Sequence, residues 1–382
     1  MVVEYTTPDA IRALAETECV PLHSGSPPPK SSSLTEPSRR SPEYAAYKQQ
    51  IGGFPKSAWN DPVAMRAQRE PLAAATFAAL EDKGTTMTIT MSDGFRSEVR
   101  IHRPTSPPAH GRGSPLVVLI YGGGFVAGDN RQLSPYAGAL ARLYGATVVN
   151  ISYRLAPEHR FPAAPNDAWD ALRWAAGSAA SLGADPRAGF VVGGVSAGGN
   201  LAAVLAQRWA DEGAAPALTG AWLSIPLLFE AALVPEGYRG AWLSREQNAH
   251  ADVINEEAMG WIAKHVGMDA ASALFSPVNS ASGDRHRTMP PRVYFQVCGQ
   301  DPLRDDGLVY ERMLRAAGVQ TRLDVYPGVP HAHFSFMPTL ESSRRAQADT
   351  VRNFAWLLDC ERPSEGAVKE NVSAPGLSLI HI

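Results

Sequence analysis

Short apolar runs alternate with stretches of helical periodicity from residue 115 onward, and this alternation is the strongest constraint on the fold. The runs are continuous rather than broken by a polar residue at every second position, which is typical of strands buried on both faces. Strands joined through helices lie parallel in one sheet, with the helices packed on its two sides. The predicted strands are 116–121, 146–153, 190–193, 221–225, 292–297 and 321–326. The chain is therefore predicted to be an α/β protein with a mostly parallel central sheet.

Helices are predicted between these strands, and an antiparallel hairpin before them. The hairpin joins 85–91 to 95–102 through Asp93-Gly94, a strong turn signal. Upstream of the hairpin, a helix is expected to begin at Pro71 and to continue over the Ala-rich residues 72–80. The helices between and after the strands are predicted over 167–179, 201–210, 306–317 and 344–358.

Three regions do not follow the alternation. Residues 227–287 show no strand pattern, and we interpret them as an insertion between two core strands. Near the start of the chain, 11–18 is predicted as a short helix, and 25–42 is rich in Ser and Pro, which is typical of a linker. No internal repeat is evident in the sequence.

Composition and charge exclude several classes of protein. The 382 residues are 45% apolar, which is enough for a sizeable core, and a length of this size has room for two or three domains at about 150 residues each. The net charge is −3 and no basic run stands out, which argues against nucleic acid or an anionic membrane as partner. The longest aliphatic run, 116–120, is far shorter than the roughly 18 residues of a membrane span.

The cysteines bear on the cellular setting. Cys19, Cys298 and Cys360 form neither a CxxC pair nor a disulfide framework, and the first residues show no basic segment followed by an apolar run. We therefore expect a soluble protein in a reducing, cytoplasmic setting.

A serine flanked by glycines follows one of the buried strands. Gly194-Val195-Ser196-Ala197-Gly198 stands between the predicted strand 190–193 and the predicted helix 201–210. A sharp turn at this place exposes the serine Oγ at the positive end of a helix, and its neighbours must be small so that strand and helix can pack closely. This pattern predicts a nucleophile elbow with Ser196 as the nucleophile. The alternative is a glycine-rich junction with an incidental serine.

Three consecutive glycines follow the first strand of the alternation. In Tyr121-Gly122-Gly123-Gly124-Phe125 the main chain can approach a ligand with no Cβ in the way. Acyl transfer builds up negative charge on an oxygen, and main-chain N–H groups stabilise that charge. We predict that the N–H groups of Gly123, Gly124 and Ala197 form an oxyanion hole. A phosphate-binding loop would need GxxxxGK[ST] or GxGxxG, so no nucleotide cofactor is expected.

Acids and histidines follow the last two strands. Asp301 comes directly after one strand and is the candidate to orient a histidine, whereas Asp305 and Asp306 are expected to cap the next helix or to pair with its dipole. After the last strand, His331 is the candidate general base. His333 either lines the pocket or is itself the base, with His331 structural. A paired-histidine metal site has no nearby third ligand, so no metal is expected.

The order of these four signals along the chain is glycine loop, Ser, Asp and His, and each follows a predicted strand. This chain order is typical of α/β hydrolases. The sequence over roughly residues 85–360 also resembles the hormone-sensitive-lipase-type esterases of that superfamily, and its downstream segments are most similar to those of fungal members. The resemblance is carried by Ser152-Tyr153-Arg154-Leu155-Ala156-Pro157-Glu158 and by Val195-Ser196-Ala197-Gly198-Gly199-Asn200-Leu201-Ala202.

The resemblance implies an α/β-hydrolase fold, in which a mostly parallel sheet flanked by helices carries a helical cap. It implies the triad Ser196, Asp301 and His331. The catalytic core is then expected over 81–226 and 288–360, and the cap over 1–80 and 227–287.

The tail of the chain and the tryptophans of the expected cap carry predictions of their own. The tail 361–382 is expected to be disordered, and its last six residues, 377–382, resemble a translated adapter rather than a natural terminus. Trp59, Trp242 and Trp261 fall in the expected cap, where they either lean on an apolar substrate cleft or fill the core of the cap.

Two positions depart from the pattern of the resembled family. Its glycine loop usually begins with His, where this chain has Tyr121, which puts the bracing of the loop in question. The residue before the nucleophile is usually Asp and here is Val195, so one polar contact at the elbow is missing. Neither departure removes a catalytic atom.

The predicted activity is that of a serine carboxylesterase acting on small esters with short to medium acyl chains, without a cofactor. Two alternatives remain. One is an esterase, lactonase or acyltransferase of secondary metabolism that uses the same triad. The other is a non-catalytic small-molecule receptor on the same fold, although receptors of this kind lack the triad histidine that is present here as His331. The oligomeric state is not predicted.

Overall fold

An eight-stranded sheet organises the residues that the structure, a computed structural model, describes: 41–54, 61–105, 113–279 and 289–372. The strand order across the sheet is β1-β2-β4-β3-β5-β6-β7-β8. The strands are β1 (Thr85–Thr90), β2 (Arg96–His102), β3 (Leu116–Ile120), β4 (Thr147–Ile151), β5 (Phe190–Val195), β6 (Gly220–Ser224), β7 (Arg292–Gln300) and β8 (Gln320–Pro330).

The sheet is mostly parallel, as predicted. β1 and β2 form the expected antiparallel hairpin and β2 runs antiparallel to β4, whereas every other neighbouring pair is parallel. All residues of β3, β4, β5 and β6 are buried, which explains their unbroken apolar runs. Because parallel strands end at the same edge, the loops after β3, β5, β7 and β8 meet there.

Thirteen helices are described in these residues, and they cover both faces of the sheet and its carboxyl edge. They are α1 (Pro42–Gln50), α2 (Pro62–Ala78), α3 (Ser134–Tyr144), α4 (Ala163–Gly177), α5 (Ala179–Leu182), α6 (Ala197–Asp211), α7 (Glu236–Arg239), α8 (Ser244–Gln247), α9 (Glu256–Val266), α10 (Arg304–Ala316), α11 (His333–Phe336), α12 (Glu341–Leu357) and α13 (Glu365–Val372). The four helices predicted within the alternation correspond to α4, α6, α10 and α12. Among the described residues, none of these helices combines the length and the apolar character needed to cross a membrane.

The helix predicted to begin at Pro71 begins nine residues earlier, so this prediction was wrong. The Asp61 carboxylate accepts hydrogen bonds from the N–H groups of Val63 and Ala64, both at 3.0 Å, and Pro62 occupies the first turn. This cap fixes the start of α2, and Pro71 lies inside the helix at the cost of one main-chain hydrogen bond.

Two further expectations are corrected at the ends of the described chain. The predicted linker 25–42 is wrong at its last two residues, because the Ser41 hydroxyl caps α1 by accepting from the Tyr44 N–H at 3.2 Å and Pro42 begins the helix; 25–40 lie outside the described residues. In the tail that was expected to be disordered, α13 packs on α12 and α3 through its buried Val368 and Val372. The packing of α13 is explained by its apolar face. The prediction failed because this apolar pattern is too short to be recognised in a polar tail. The predicted helix 11–18, Trp59 and residues 377–382 lie outside the described residues.

Candidate active site

Ser196 lies on a strained turn between β5 and α6. Its φ of +57° and ψ of −117° are rare for a residue with a side chain. A Cβ on Gly194 would lie 2.2 Å from the carbonyl oxygen of Gly198, and one on Gly198 would lie 2.1 Å from that of Ile120. Glycine is therefore required on both sides of the serine. The Ser196 N–H donates to the Ser224 carbonyl of the neighbouring strand at 2.8 Å, which fixes the turn although Val195 brings no polar group.

Asp301 and His331 are brought together by the pairing of β7 with β8. Gln300 lies opposite Pro330 in the register, and Asp301 and His331 are the residues that directly follow this pair. The predicted strands end three and four residues earlier, because Gly299 and Gly328 obscure the pattern. A Cβ on Gly299 would lie 2.8 Å from the Gly328 nitrogen, so glycine lets the two strands continue side by side.

The imidazole of His331 bridges the serine and the aspartate. Its Nε2 lies 2.9 Å from the Ser196 Oγ, and its Nδ1 lies 2.7 Å from Asp301 Oδ2. The other oxygen of Asp301 accepts from the Leu303 N–H at 2.8 Å. All three side chains of the bridge are buried, with 8, 2 and 0% of Ser196, His331 and Asp301 exposed. A carboxylate at Nδ1 favours the tautomer with the proton there, which leaves Nε2 free to accept the serine proton.

Asp305 and Asp306 lie in the first turn of α10, as expected, but their carboxylates hold the chain between β6 and β7. Asp305 accepts from the N–H groups of Leu243 and Ser244, both at 2.6 Å. Asp306 pairs with Arg245 at 2.9 Å, and burial raises the pKa of its carboxyl to about 6. Asp306 also accepts from the N–H groups of Leu228 and Phe229 and from the indole of Trp242.

His333 is not in contact with the serine in this structure. It is fully buried, and its Nδ1 lies 3.4 Å from the Cys298 Sγ. Burial lowers the pKa of its imidazole to about 4. The structure thus separates the two histidines, since only His331 lies between Ser196 and Asp301. Within the described ranges, no group of three or more His, Cys, Asp or Glu side chains has an arrangement that would hold a metal ion.

The glycine loop after β3 approaches the serine closely. A Cβ on Gly122 would lie 3.2 Å from the Cβ of Ser196, and one on Gly123 would lie 2.1 Å from the Ala127 carbonyl oxygen. Gly123 and Gly124 have φ values of +129° and +62°. In the described part of the chain, the N–H groups of these two glycines donate to no protein acceptor. Ala197 is the first residue of α6, where the N–H has no acceptor within the helix.

A helix of the chain between β6 and β7 lies over this loop. A Cβ on Gly124 would come within 2.7 Å of the Ile262 Cδ1 in α9. Residues 227–279, which include α7, α8 and α9, are called the cover segment below. The residue pattern gave no signal that Ile262 would lie here.

An apolar pocket lies between the cover segment, residues 156–165 and α6. Phe125 next to the glycine loop and Leu201 of α6 are among its lining residues. The side chains of Ser196, Asp301 and His331 do not line it. Neither tryptophan of the cover segment is among its lining residues: the Trp242 indole donates to Asp306, and Trp261 stacks on His265 at 3.9 Å. Its larger apolar lining residues are Phe125, Phe161, Leu201, Val266, Met268, Leu274 and Phe275.

A mostly parallel sheet with Ser, Asp and His at its carboxyl edge defines the α/β-hydrolase class of proteins. The sequence profile of a family described as "alpha/beta hydrolase fold" matches residues 117–335. An AB hydrolase superfamily protein of Schizosaccharomyces pombe is 37% identical over 291 residues, which are 76% of this chain and 84% of that protein. The versiconal hemiacetal acetate esterase of Dothistroma septosporum is 33% identical over 246 residues, 64% of this chain and 74% of the esterase.

Solved structures agree with the sequence relatives. The crystal structure of vibralactone cyclase superposes with a TM-score of 0.75 and 31% identity, covering 84% of this chain and 96% of the cyclase. The chain therefore belongs to the hormone-sensitive-lipase-type family of the α/β-hydrolase superfamily. It is an enzyme of the carboxylic ester hydrolase class.

Proposed function

We propose that the protein is a serine carboxylesterase that hydrolyses small esters with short to medium acyl chains, with Ser196 as nucleophile, His331 as general base and acid, and Asp301 as the group that orients His331. The observation that carries this proposal is the bridge formed by His331, 2.9 Å from the Ser196 Oγ and 2.7 Å from Asp301. These distances lie within the reach that a proton transfer requires.

The first half of the reaction forms an acyl-enzyme. His331 Nε2 takes the proton of Ser196 while Oγ attacks the ester carbonyl, and Asp301 stabilises the imidazolium that results. The negative charge on the former carbonyl oxygen is stabilised by the N–H groups of Gly123, Gly124 and Ala197. The tetrahedral intermediate collapses when His331 gives its proton to the leaving alcohol.

The second half repeats these steps with water. His331 removes a proton from the water as it attacks the acyl carbonyl, and the proton then returns to the Ser196 Oγ as the acid leaves. The protein thus supplies the nucleophile, the base and the charge stabilisation, and no step calls for a cofactor.

The proposal includes a cap over the core, made from residues 1–80 and 227–287, with the core over 81–226 and 288–360. Two sets of contacts support it. In the first, Ile262 of the cover segment lies over Gly124. In the second, α1 is joined to the cover segment, because Tyr44 and Lys48 both bond to Asp252, Lys48 at 2.6 Å. The described parts of both segments thus contact each other and the core.

The substrate class rests on the pocket and on the relatives. An apolar pocket beside the glycine loop fits an uncharged acyl or alcohol group. The Dothistroma relative is named as an esterase of an acetate. A cytoplasmic location stays a prediction from the cysteine pattern.

A panel of p-nitrophenyl esters, from acetate to long acyl chains, tests the function. We expect the wild type to hydrolyse the short and medium esters, and Ser196→Ala to lower kcat by at least about 10³-fold. Ser114→Ala is the matched control, because Ser114 is equally buried, at 8% exposed, but precedes β3 at the opposite edge of the sheet. A serine-directed phosphonate should label Ser196 in the wild type. Inactivity on every ester, with Ser196 unlabelled, would refute the proposal.

Similarity to a cyclase favours a second candidate function, acyl transfer to a hydroxyl group instead of water. The superposition with vibralactone cyclase covers 96% of the cyclase chain. In this reaction the same acyl-enzyme is attacked by an alcohol, which belongs to the substrate itself or to an acceptor. Chromatography of the products, with a small alcohol present at millimolar concentration, distinguishes the two candidates. Esterase function predicts mainly free acid, whereas an excess of the transesterified product would favour the second.

A further inference from the structure

Tyr121 and Tyr153 form a reciprocal pair beneath the glycine loop. The hydroxyl of Tyr121 donates to the main-chain carbonyl of Tyr153 at 3.1 Å, and the hydroxyl of Tyr153 donates to that of Tyr121 at 3.2 Å. The two rings stack with their centroids 4.3 Å apart and an interplanar angle of 11°. Both side chains are almost completely buried. Each ring therefore fixes the other and the main chain of its partner.

The chain that follows Tyr153 holds the far end of the same loop. The Ala156 N–H donates to the carbonyl of Phe125 at 2.9 Å, and Phe125 takes a positive φ of +62° that this contact supports. Arg154, between these residues, is anchored in turn: its main-chain N–H and its guanidinium both bond to the buried Asp167. Residues 121–125 are thus clamped at their first and last positions by one segment, 153–156.

Inside the loop, two more polar groups of the main chain are also engaged. The N–H of Gly122 donates to the Gln132 Oε1 at 2.7 Å, and the carbonyl of Gly123 accepts from Val126 and Ala127. Among the described residues, the N–H groups of Gly123 and Gly124 have no protein acceptor, and neither has that of Phe125. The clamp therefore holds the loop and leaves free the two donors that the proposed oxyanion hole needs.

We propose that Tyr121 and Tyr153 are positioning residues that hold the N–H groups of Gly123 and Gly124 in place for the oxyanion of the reaction. This inference rests on the proposed function. It also gives a role to Tyr121, the residue that replaces the usual histidine of the family.

The physical reason is the flexibility of three consecutive glycines. Stabilising an oxyanion requires donors that are already oriented before charge develops, and glycines on their own do not provide such rigidity. Two buried phenols suit this task, since burial raises the pKa of both hydroxyl groups and keeps them protonated as donors. Removal of one hydroxyl leaves a buried carbonyl without its partner, and the loop then gains freedom to move.

Tyr121→Phe and Tyr153→Phe test the pair, because each keeps the ring and removes one hydrogen bond. For the best p-nitrophenyl ester, we expect kcat to fall roughly 10- to 100-fold and KM to stay within about threefold. The inhibition constant of a trifluoromethyl ketone, whose adduct with Ser196 carries an oxyanion, should rise by the same factor as kcat/KM falls. A ketone-free ether analogue of the ester should bind unchanged.

Tyr144→Phe is the matched control. Tyr144 is also buried and its hydroxyl also donates to a main-chain carbonyl, that of Val351 at 2.6 Å, but it belongs to α3. This variant should lose thermal stability to a similar extent and keep both kcat and the inhibition constant of the ketone within twofold of the wild type.

Three results would overturn the inference. One is that both loop variants keep kcat within twofold while melting earlier, as the control does. Another is a rise in KM alone, and the third is a fall in kcat with the ketone binding unchanged. Near-UV circular dichroism reports folding, so if one variant does not fold the other carries the test, and if neither folds the pair is a folding element and the inference fails. Failure of the proposed function is seen separately, as inactivity of the wild type and of Tyr144→Phe.

Discussion

The carboxyl edge of the sheet and the cover segment meet at the same site but are held by different means. At the edge, His331 and Asp301 are adjacent because Gln300 pairs with Pro330 in neighbouring parallel strands. The cover segment contributes no strand in its described residues, and two buried carboxylates of α10 bind its main chain. The geometry of the proposed catalytic residues is thus set by main-chain register, whereas the cover segment is held in part by charged side chains.

This difference has a functional consequence. Strand register changes only if the sheet itself rearranges, so the triad is expected to survive any change that leaves β7 and β8 paired. A carboxylate that anchors a loop is lost through a single substitution. Changes at the edge should therefore affect the chemical step, and changes at the anchor should affect substrate binding and stability.

Asp301→Asn gives the largest expected effect, and it changes the carboxyl edge of the sheet without changing the cover segment. The asparagine still accepts the Leu303 N–H through one oxygen but turns an NH₂ group toward His331, which favours the tautomer that cannot take the Ser196 proton. We expect kcat to fall about 10³- to 10⁴-fold, with the melting temperature close to that of the wild type. Steady-state kinetics and thermal denaturation measure both quantities. A loss of less than tenfold would contradict the assigned role of Asp301.

Asp306→Asn removes one of the two carboxylates that anchor the cover segment, and it leaves the carboxyl edge of the sheet intact. It removes the counter-charge of Arg245, whose half-buried side chain (18% exposed) is then left without a partner charge. Loss of one member of a buried ion pair costs about 3–5 kcal/mol, so we expect a fall of this order in the free energy of unfolding from urea titration at pH 8. KM should rise several-fold, while kcat stays within about threefold.

Asp359→Asn is the control for this prediction. Its pair with Arg292 has the same 2.9 Å separation, but the aspartate side chain is 68% exposed. An exposed pair contributes at most about 1 kcal/mol, so this variant should behave nearly as the wild type does. Equal destabilisation by the two substitutions would show that the anchor is no stronger than a surface contact.

The same contrast explains what the sequence allows one to predict. Ser196, Asp301, His331 and the glycine loop stand directly after strands, and strand periodicity is a local property that a single sequence reveals. The bonds from Asp305 and Asp306 to the cover segment span about 60 residues of chain or more, and no local pattern reports such contacts.

One further contact is invisible to a local pattern for the same reason. Ile262 looks like any apolar residue of an amphipathic helix, although it lies over Gly124. The start of α2 differs, because its signal is local: Asp61 caps the helix and Pro62 occupies the first turn, so the prediction from Pro71 was wrong although the cap stands in the sequence. Tyr121 was noticed as a departure, but only the structure shows that its partner is Tyr153.

The smallest expected effect separates the two histidines at the edge. His333 has a pKa of about 4 when folded, below its ordinary 6.5, because burial disfavours the charged form. The unfolded chain therefore binds a proton more readily, so the stability that neutral His333 provides is complete above pH 6.5 and is lost as the pH falls toward 4. Between pH 7 and pH 4.5, this linkage lowers the free energy of unfolding of the wild type by about 2 kcal/mol.

His333→Gln should remove this part of the pH dependence. Urea unfolding at both pH values should show that the stability of the variant falls by about 2 kcal/mol less than that of the wild type. His250→Gln, at an exposed histidine, is the control and should follow the wild type.

Because His333 does not contact Ser196, its variant should also keep kcat within about threefold, whereas His331→Gln should lose activity as Ser196→Ala does. Loss of activity in His333→Gln together with retention in His331→Gln would exchange the roles of the two residues.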